Sequence, residues 1–259
     1  MLNIGITGRY GFIGTHLHNT LALAPSKYNL IAFDRKYFQD KLLLDSFVCQ
    51  CDVIVHLAAL NRHDTPAVLY DTNIYLVSCL IDSLKRTGST PQVIMSSSSQ
   101  EEYDNLYGKS KKIGRSLFEK WAKDNNASFL GMIIPNVFGP FGKPYYNSVV
   151  ATFSHQLSNN ETPKIDIDGE LKLIYVVDLV ADIINCMLYK KNESAYKVKH
   201  TSTLKVSEVL ELLENFKTTY LENGEIPLLN DSFKLNLFNT FRTYMDIKTY
   251  FPVKFTKHN

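Results

Sequence analysis

Five short runs of aliphatic and β-branched residues, separated by four stretches whose apolar positions repeat with a helical period, dominate the first half of this chain. The runs fall at 3–7, 29–33, 53–57, 92–95 and 128–134, and the intervening helical stretches at 11–23, 41–48, 68–86 and 108–125. Strands covered on both faces read as continuous apolar runs, and parallel neighbours need a crossover of about a dozen residues or more. The pattern therefore predicts an α/β fold built on a doubly wound parallel sheet. With 45% hydrophobic residues among 259, the chain can bury a sizeable core. The stretch 34–52 holds one helix, so the third strand of fuller sheets of this kind is expected to be missing or vestigial.

After Pro135 the alternation loosens, and 139–147 is rich in Gly, Pro and Asn. The expected division is a larger core at 1–134 and, over 135–259, a smaller lobe interleaved with that core. A helix is expected at 206–216, with Ser207 near its start and Val209, Leu210, Leu212, Leu213 and Phe216 on its apolar face.

Several function classes are excluded on charge and composition. Twenty-eight basic residues nearly balance 26 acidic ones, so neither nucleic acid nor an anionic membrane is expected as a partner. No run of eighteen apolar residues occurs, and Met1 leads within a few residues into a strand without a basic leader, which points to the cytoplasm. Cys49, Cys51, Cys79 and Cys186 are too scattered for a disulfide framework, no second pair completes a zinc site with Cys49 and Cys51, and His56 belongs to a core strand. No metal is expected, and Cys79 and Cys186 are expected as packing residues.

Thr7-Gly8-Arg9-Tyr10-Gly11-Phe12-Ile13-Gly14 follows the first strand and opens the first helix. Gly8 permits a tight turn, Gly11 lets backbone approach a pyrophosphate, and Gly14 lets the helix sit close to the sheet. The helix N-terminus favours the anion, so Gly8, Arg9, Tyr10, Gly11, Phe12 and Ile13 are candidate dinucleotide contacts in a Rossmann-type core. Twenty residues on, Asp34 can accept bonds from the adenosine ribose, which favours NAD, whereas Arg35 and Lys36 beside it can neutralise the 2′-phosphate of NADP.

Tyr107-Gly108-Lys109-Ser110-Lys111 opens the fourth helical stretch, and Ser96-Ser97-Ser98-Ser99 follows the fourth strand. Four residues make about one turn, so Tyr107 and Lys111 share a face. A phenol near pKa 10 needs roughly 3–4 kcal/mol of phenolate stabilisation to act as a base near neutrality, which an ammonium and a cationic nicotinamide can supply. A serine hydroxyl can hold the substrate oxygen while the tyrosine moves the proton.

With these motifs in this order, the chain resembles the extended short-chain dehydrogenase/reductases, the family of nucleotide-sugar epimerases, dehydratases and reductases. The resemblance extends through Asp52-Val53-Ile54-Val55-His56-Leu57-Ala58-Ala59, Asn73, Pro135-Asn136-Val137-Phe138-Gly139-Pro140 and Tyr175-Val176-Val177-Asp178. It implies that Leu57, Ala58 and Ala59 border the nicotinamide, that Asn73 and Lys111 also serve the cofactor, and that Asn136 helps position the sugar diphosphate. It implies a catalytic set of Ser98, Tyr107 and Lys111, with Ser97 or Ser99 as alternatives for the hydroxyl. Retaining dehydratases carry Thr-Asp-Glu where this chain reads Ser98-Ser99-Gln100, and Glu101 and Glu102, one step later, are expected as solvated loop charges.

More narrowly, the chain is similar to the reductase half of the UDP-2-acetamido-2,6-dideoxy-hexulose reductases, through His56-Leu57-Ala58-Ala59-Leu60-Asn61-Arg62, Asp104-Asn105 and the segment from Lys143 to Phe153. This similarity implies NAD(P)H-dependent reduction of a UDP-linked 4-keto-6-deoxy (N-acetyl)amino sugar for bacterial surface polysaccharide, with NADPH slightly favoured. It implies substrate contacts at Asn61, Ser99, Gln100, Asn136 and Asn147, a dinucleotide-binding core at 1–134 and a substrate-binding lobe beyond it. The alternatives are a nucleotide-sugar 4-epimerase retaining its NAD and a non-catalytic dinucleotide sensor. Such relatives continue into a C-terminal cupin. No histidine-rich barrel pattern follows Phe251-Pro252-Val253-Lys254-Phe255, so the expected partners are a nucleotide sugar, a second copy in a homodimer, and a separate epimerase.

Overall fold

A computed structural model describes residues 1–250, and the Phe251–Phe255 segment lies outside the described residues. The chain forms β1 (Leu2–Thr7), α1 (Phe12–Ala22), β2 (Tyr28–Ile31), α2 (Lys41–Gln50), β3 (Val53–His56), α3 (Pro66–Thr87), β4 (Gln92–Ser98), α4 (Leu106–Asp124) and β5 (Phe129–Ile134). It continues through β6 (Asn136–Phe138), α5 (Val149–Ser158), β7 (Glu170–Tyr175), α6 (Val176–Leu188), β8 (Glu193–Lys197), β9 (Ser202–Lys205), α7 (Val206–Phe216) and α8 (Ser232–Arg242). These elements group into two compact units, one of Met1–Pro135 with Val176–Lys199, the other of Asn136–Tyr175 with the chain from His200 onward.

The first unit is a six-stranded, wholly parallel sheet in the order β2-β1-β3-β4-β5-β8. The most buried strands lie at its centre: all four residues of β3 are buried, His56 included, as are the last four of β1, Thr7 included. Phe47, Phe118 and Trp121 from the helices and Phe129 from β5, each at most 2% exposed, share one core with Ile54 and Val93. Between β2 and β3 stand only a 3-10 helix (Arg35–Gln39) and α2, with no third strand. Two aspartates produce this: Asp34 accepts from the Lys36 N–H at 2.9 Å, and Asp40 from those of Leu42 and Leu43 at 3.0 and 3.1 Å, so each starts a helical turn where a strand would otherwise extend.

Strand β4 runs through Ser98 rather than ending at Met95, because Ser96, Ser97 and Ser98 stay paired with Met132, Ile133 and Ile134. Serine has no strong strand preference, and the register is imposed by the neighbour. The sixth strand, β8, was not expected: Glu193–Lys197 alternates exposed and half-buried residues, as an edge strand does.

In the second unit, β7 pairs with β6 in parallel and with β9 antiparallel. Helices α5, α7 and α8 pack Phe153, Leu213, Phe216 and Phe238 into a core with Phe138 and Leu173. Helix α7 spans the expected residues, but Leu210 and Leu212 are only half-buried and Ser207 is not its cap. Lys205 holds the N-cap position, and both the N–H and the hydroxyl of Ser207 donate to Asp168, at 2.8 and 2.9 Å. A carboxylate from another segment thus satisfies the helix end, a partner that local spacing does not reveal.

Among the described residues, no helix is long and apolar enough to cross a membrane, and no group of three or more His, Cys, Asp or Glu could hold a metal ion. Cys51 and Cys186 are buried, Cys79 half-buried and Cys49 exposed, all as free thiols.

Candidate active site

The first three strands of the sheet's centre end in the loops that carry the candidate residues. After β1, Gly8 turns with φ of 79°, and a Cβ there would lie 2.8 Å from the Ala58 nitrogen. The Gly11 N–H donates to the Gly8 carbonyl at 3.0 Å. At Gly14 a Cβ would meet the Gly8 oxygen at 2.2 Å and the Arg9 Cα at 2.8 Å. Gly14 therefore lets α1 fold beneath its own loop, and the close approach is to that loop rather than to the sheet. The N-cap is Gly11, so no side chain caps α1, and the first N–H groups of a helix have no partner within it. Arg9 lies 4.7 Å over the ring of Tyr10, which is 81% exposed, and Phe12 and Ile13 are half-buried.

Thr7 ties this loop to the end of β3. Its Oγ1 is hydrogen-bonded to His56 Nδ1 at 2.9 Å and accepts from the Ala58 N–H at 3.4 Å. Burial, and then the Lys111 charge, lower His56 to about 3, so the imidazole is neutral and structural. Asn73 is buried with its amide fully engaged. Its Oδ1 accepts from the Leu60 N–H at 2.7 Å, and its two N–H groups go to the Leu60 carbonyl and the Ser110 hydroxyl, each at 3.0 Å. Asn73 thus spends one donor and its acceptor on the 57–61 loop and the other donor on Ser110 of α4, tying that loop to the helix. Asp34 lies three residues past β2 and caps the 3-10 helix, with Arg35 and Lys36 exposed beside it.

Helix α4 begins at Leu106 because the Asn105 side chain accepts from the Gly108 N–H at 2.7 Å. One turn separates Tyr107 from Lys111, whose Nζ is 5.9 Å from the phenol ring centre and donates to the Ser96 carbonyl at 2.8 Å. Lys111 is 4% exposed, and burial lowers its ammonium to about 8. Ser98, half-buried at the end of β4, accepts from the Gln100 N–H at 3.2 Å. Ser97 is committed elsewhere, donating to the Glu101 carboxylate.

Glu101 corrects the reading of a solvated loop charge. Its side chain is 6% exposed and pairs with Arg115, 12% exposed, at 2.8 Å. Arg115 sits fourteen residues downstream, beyond the reach of a local motif. Glu102 is the exposed member, 3.5 Å from Lys197. Ser99 and Gln100 open a 3-10 helix (Ser99–Glu102). Asn61 is exposed on the first unit, and Asn136 and Asn147 are exposed on the second.

The first unit thus brings the glycine loop, the 57–61 loop, Ser98, Tyr107 and Lys111 to the same edge of one parallel sheet, joined by Thr7, Asn73 and Ser110. A phenol beside an ammonium and a strand-end hydroxyl can exchange a proton with a bound oxygen.

The family model described as "NAD dependent epimerase/dehydratase family" matches residues 4–198. A UDP-2-acetamido-2,6-beta-L-arabino-hexul-4-ose reductase of Pseudomonas aeruginosa is 29% identical over 220 residues, which are 84% of this chain and 58% of that protein. The crystal structure of the capsular polysaccharide assembling protein CapF from Staphylococcus aureus is similar with a TM-score of 0.81 and 30% identity, over 96% of this chain and 66% of that one. RMD from Pseudomonas aeruginosa complexed with NADPH has a TM-score of 0.80 at 19% identity, over 94% of this chain and 99% of that one, a likeness of fold. The chain therefore spans 58% of the length of the curated relative and 66% of CapF.

Proposed function

Because the chain belongs to the NAD dependent epimerase/dehydratase family, we propose that it is an NAD(P)H-dependent reductase of a UDP-linked 4-keto-6-deoxy (N-acetyl)amino sugar, acting in the synthesis of a bacterial surface polysaccharide. The observation that carries this reading is the state of the acid nearest the serine turn. Dehydration needs a free carboxyl to expel water, and Glu101 is instead held by Arg115 and Ser97. The remaining set of Ser98, Tyr107 and Lys111 suits carbonyl reduction.

In this reading Gly8, Arg9, Tyr10, Gly11, Phe12 and Ile13 cradle the pyrophosphate. The left-handed Gly8 and the uncapped start of α1 fit that group. Asp34 and Arg35 meet the adenosine ribose end, with NADPH used at least as well as NADH, and Leu57, Ala58 and Ala59 line the nicotinamide side. The cofactor supplies the hydride to C4 when bound. Tyr107 gives its proton to the C4 oxygen, Ser98 holds that oxygen by a hydrogen bond, and the Lys111 ammonium stabilises the phenolate left behind and contacts the nicotinamide ribose. Ser99, Gln100, Asn61, Asn136 and Asn147 are the candidate contacts to the nucleotide sugar. The setting in this reading is the cytoplasm, with a homodimer as the assembly.

The test is incubation with the 4-keto product of a UDP-sugar 4,6-dehydratase and NADPH or NADH. Loss of reduced-nicotinamide absorbance should match formation of the reduced sugar, and Tyr107→Phe should abolish it while cofactor affinity stays within a few-fold. Interconversion of C4 epimers without net oxidation would identify an epimerase instead, and no reaction with any keto-sugar would favour a sensor. In deuterated water, enzyme-dependent label at C3 would place the epimerisation in this chain.

A further inference from the structure

Arg115 lies two turns beyond Tyr107 on α4, and its side chain crosses β5 where Gly131 leaves room for it. A Cβ at Gly131 would lie 2.6 Å from Arg115 Cδ and 2.3 Å from the Ser194 carbonyl oxygen. The guanidinium donates from Nη1 to that carbonyl at 2.9 Å, and from Nε and Nη2 to Glu101 at 2.9 and 2.8 Å. Glu101 accepts from the hydroxyl of Ser97, the residue before Ser98. On the other side of the turn, a Cβ at Gly108 would come within 1.9 Å of the Gln100 oxygen, so the first turn of α4 rests directly on the Ser99–Glu102 helix.

Burying two charges gives little net stability, because desolvation offsets most of their attraction. A forked guanidinium gripping a carboxylate does fix geometry. We propose that Glu101 is a positioning residue: clamped by Arg115, it holds the end of β4 so that the Ser98 hydroxyl and the Tyr107 phenol address the same substrate oxygen. The proposal rests on the reductase reading for its kinetic consequence, and on the fold alone for its structural one.

Two variants of the whole protein test it. Glu101→Gln keeps the shape and removes the charge, whereas Ser97→Ala cuts the tie to β4 and leaves the Glu101–Arg115 pair. Each should lower kcat by about tenfold or more, since a displacement of about 1 Å can cost roughly a hundredfold. The Kd for NADPH, titrated directly, should stay within about twofold. Amide exchange should quicken at 98–103 and stay slow at 92–95 and in β5. The proposal is overturned if both variants keep kcat and the exchange of the turn at parental levels. It is equally overturned if kcat, NADPH affinity and protection throughout the sheet fall together, the mark of a stabilising role. Should Glu101→Gln fail to fold, Ser97→Ala decides. If the parent reduces no keto-sugar, the reductase reading fails, and exchange at 98–103 alone judges the positioning role.

Discussion

Lys111 is the residue at which stability and chemistry oppose one another. Its folded pKa of about 8, lowered by burial, lies below the 10.4 or so of an unfolded lysine. At pH 7 the folded protein therefore carries a buried charge at a cost of order 3 kcal/mol. Between about pH 8 and 10.4 the unfolded chain binds more protons, so stability rises with pH across that window. Lys111→Met removes the cost but leaves the Ser96 carbonyl without its donor, a loss of about 1–3 kcal/mol. We expect the variant to match the parent or exceed it by up to about 2 kcal/mol at pH 7, to lose this advantage as pH rises toward 10, and to be inactive. Urea unfolding at both ends of that range measures it; a deficit equal at the two pH values would contradict this account. Tyr107 and Lys111 were legible in sequence because their relation is one helical turn. Glu101 was not, because its environment depends on Arg115, Gly131 and Ser194, which only the fold assembles.

At the scale of elements, the central strands were readable because β3 and β5 carry near-continuous apolar runs and β1 leads straight into the glycine motif, while β8 and the short β6 and β9 carry neither signal. The glycine-led contacts were readable only in part. Gly8 and Gly14 stood in a recognisable motif, but nothing in the local pattern marked Gly108 as a contact. Its place against Gln100 makes it a packing residue. Alanine raises helix propensity by about 1 kcal/mol over glycine, yet overpacking here costs about 1–3 kcal/mol or more. Because the atom met is backbone and cannot swing aside, the upper end applies, and Gly108→Ala should lower stability by about 2 kcal/mol. At Gly169, a Cβ would have nothing within 4 Å, and Gly169→Ala should change stability by less than about 0.5 kcal/mol. Paired denaturant titrations check both, and equal effects at the two sites would show that the Gly108 contact gives way freely.

At the scale of the molecule, the chain crosses between its units near Pro135, Val176 and Lys199, and each unit has its own sheet and core. If the first unit binds the cofactor and Asn136 and Asn147 of the second bind the nucleotide of the sugar, the two footprints should separate. NADPH should slow amide exchange chiefly at 8–14 and 57–60, and UDP chiefly at 136–153. Ligand at about a hundred times its Kd adds about 2.7 kcal/mol to stability, enough to read as raised protection. Footprints that coincide on one unit would refute the division. The crossings also set a timetable for synthesis. Strand β5 pairs on its far side with β8, as Leu130 does with Glu193 and Met132 with Tyr196, about 60 residues later in the chain. Until those residues leave the ribosome, β5 is a bare hydrophobic edge able to recruit another chain. At roughly 5–20 residues per second that interval lasts about 3–12 s. The nascent protein is thus exposed to misassembly while the first segment of the second unit, Asn136–Tyr175, is being made, a demand on chaperones written into the strand order itself.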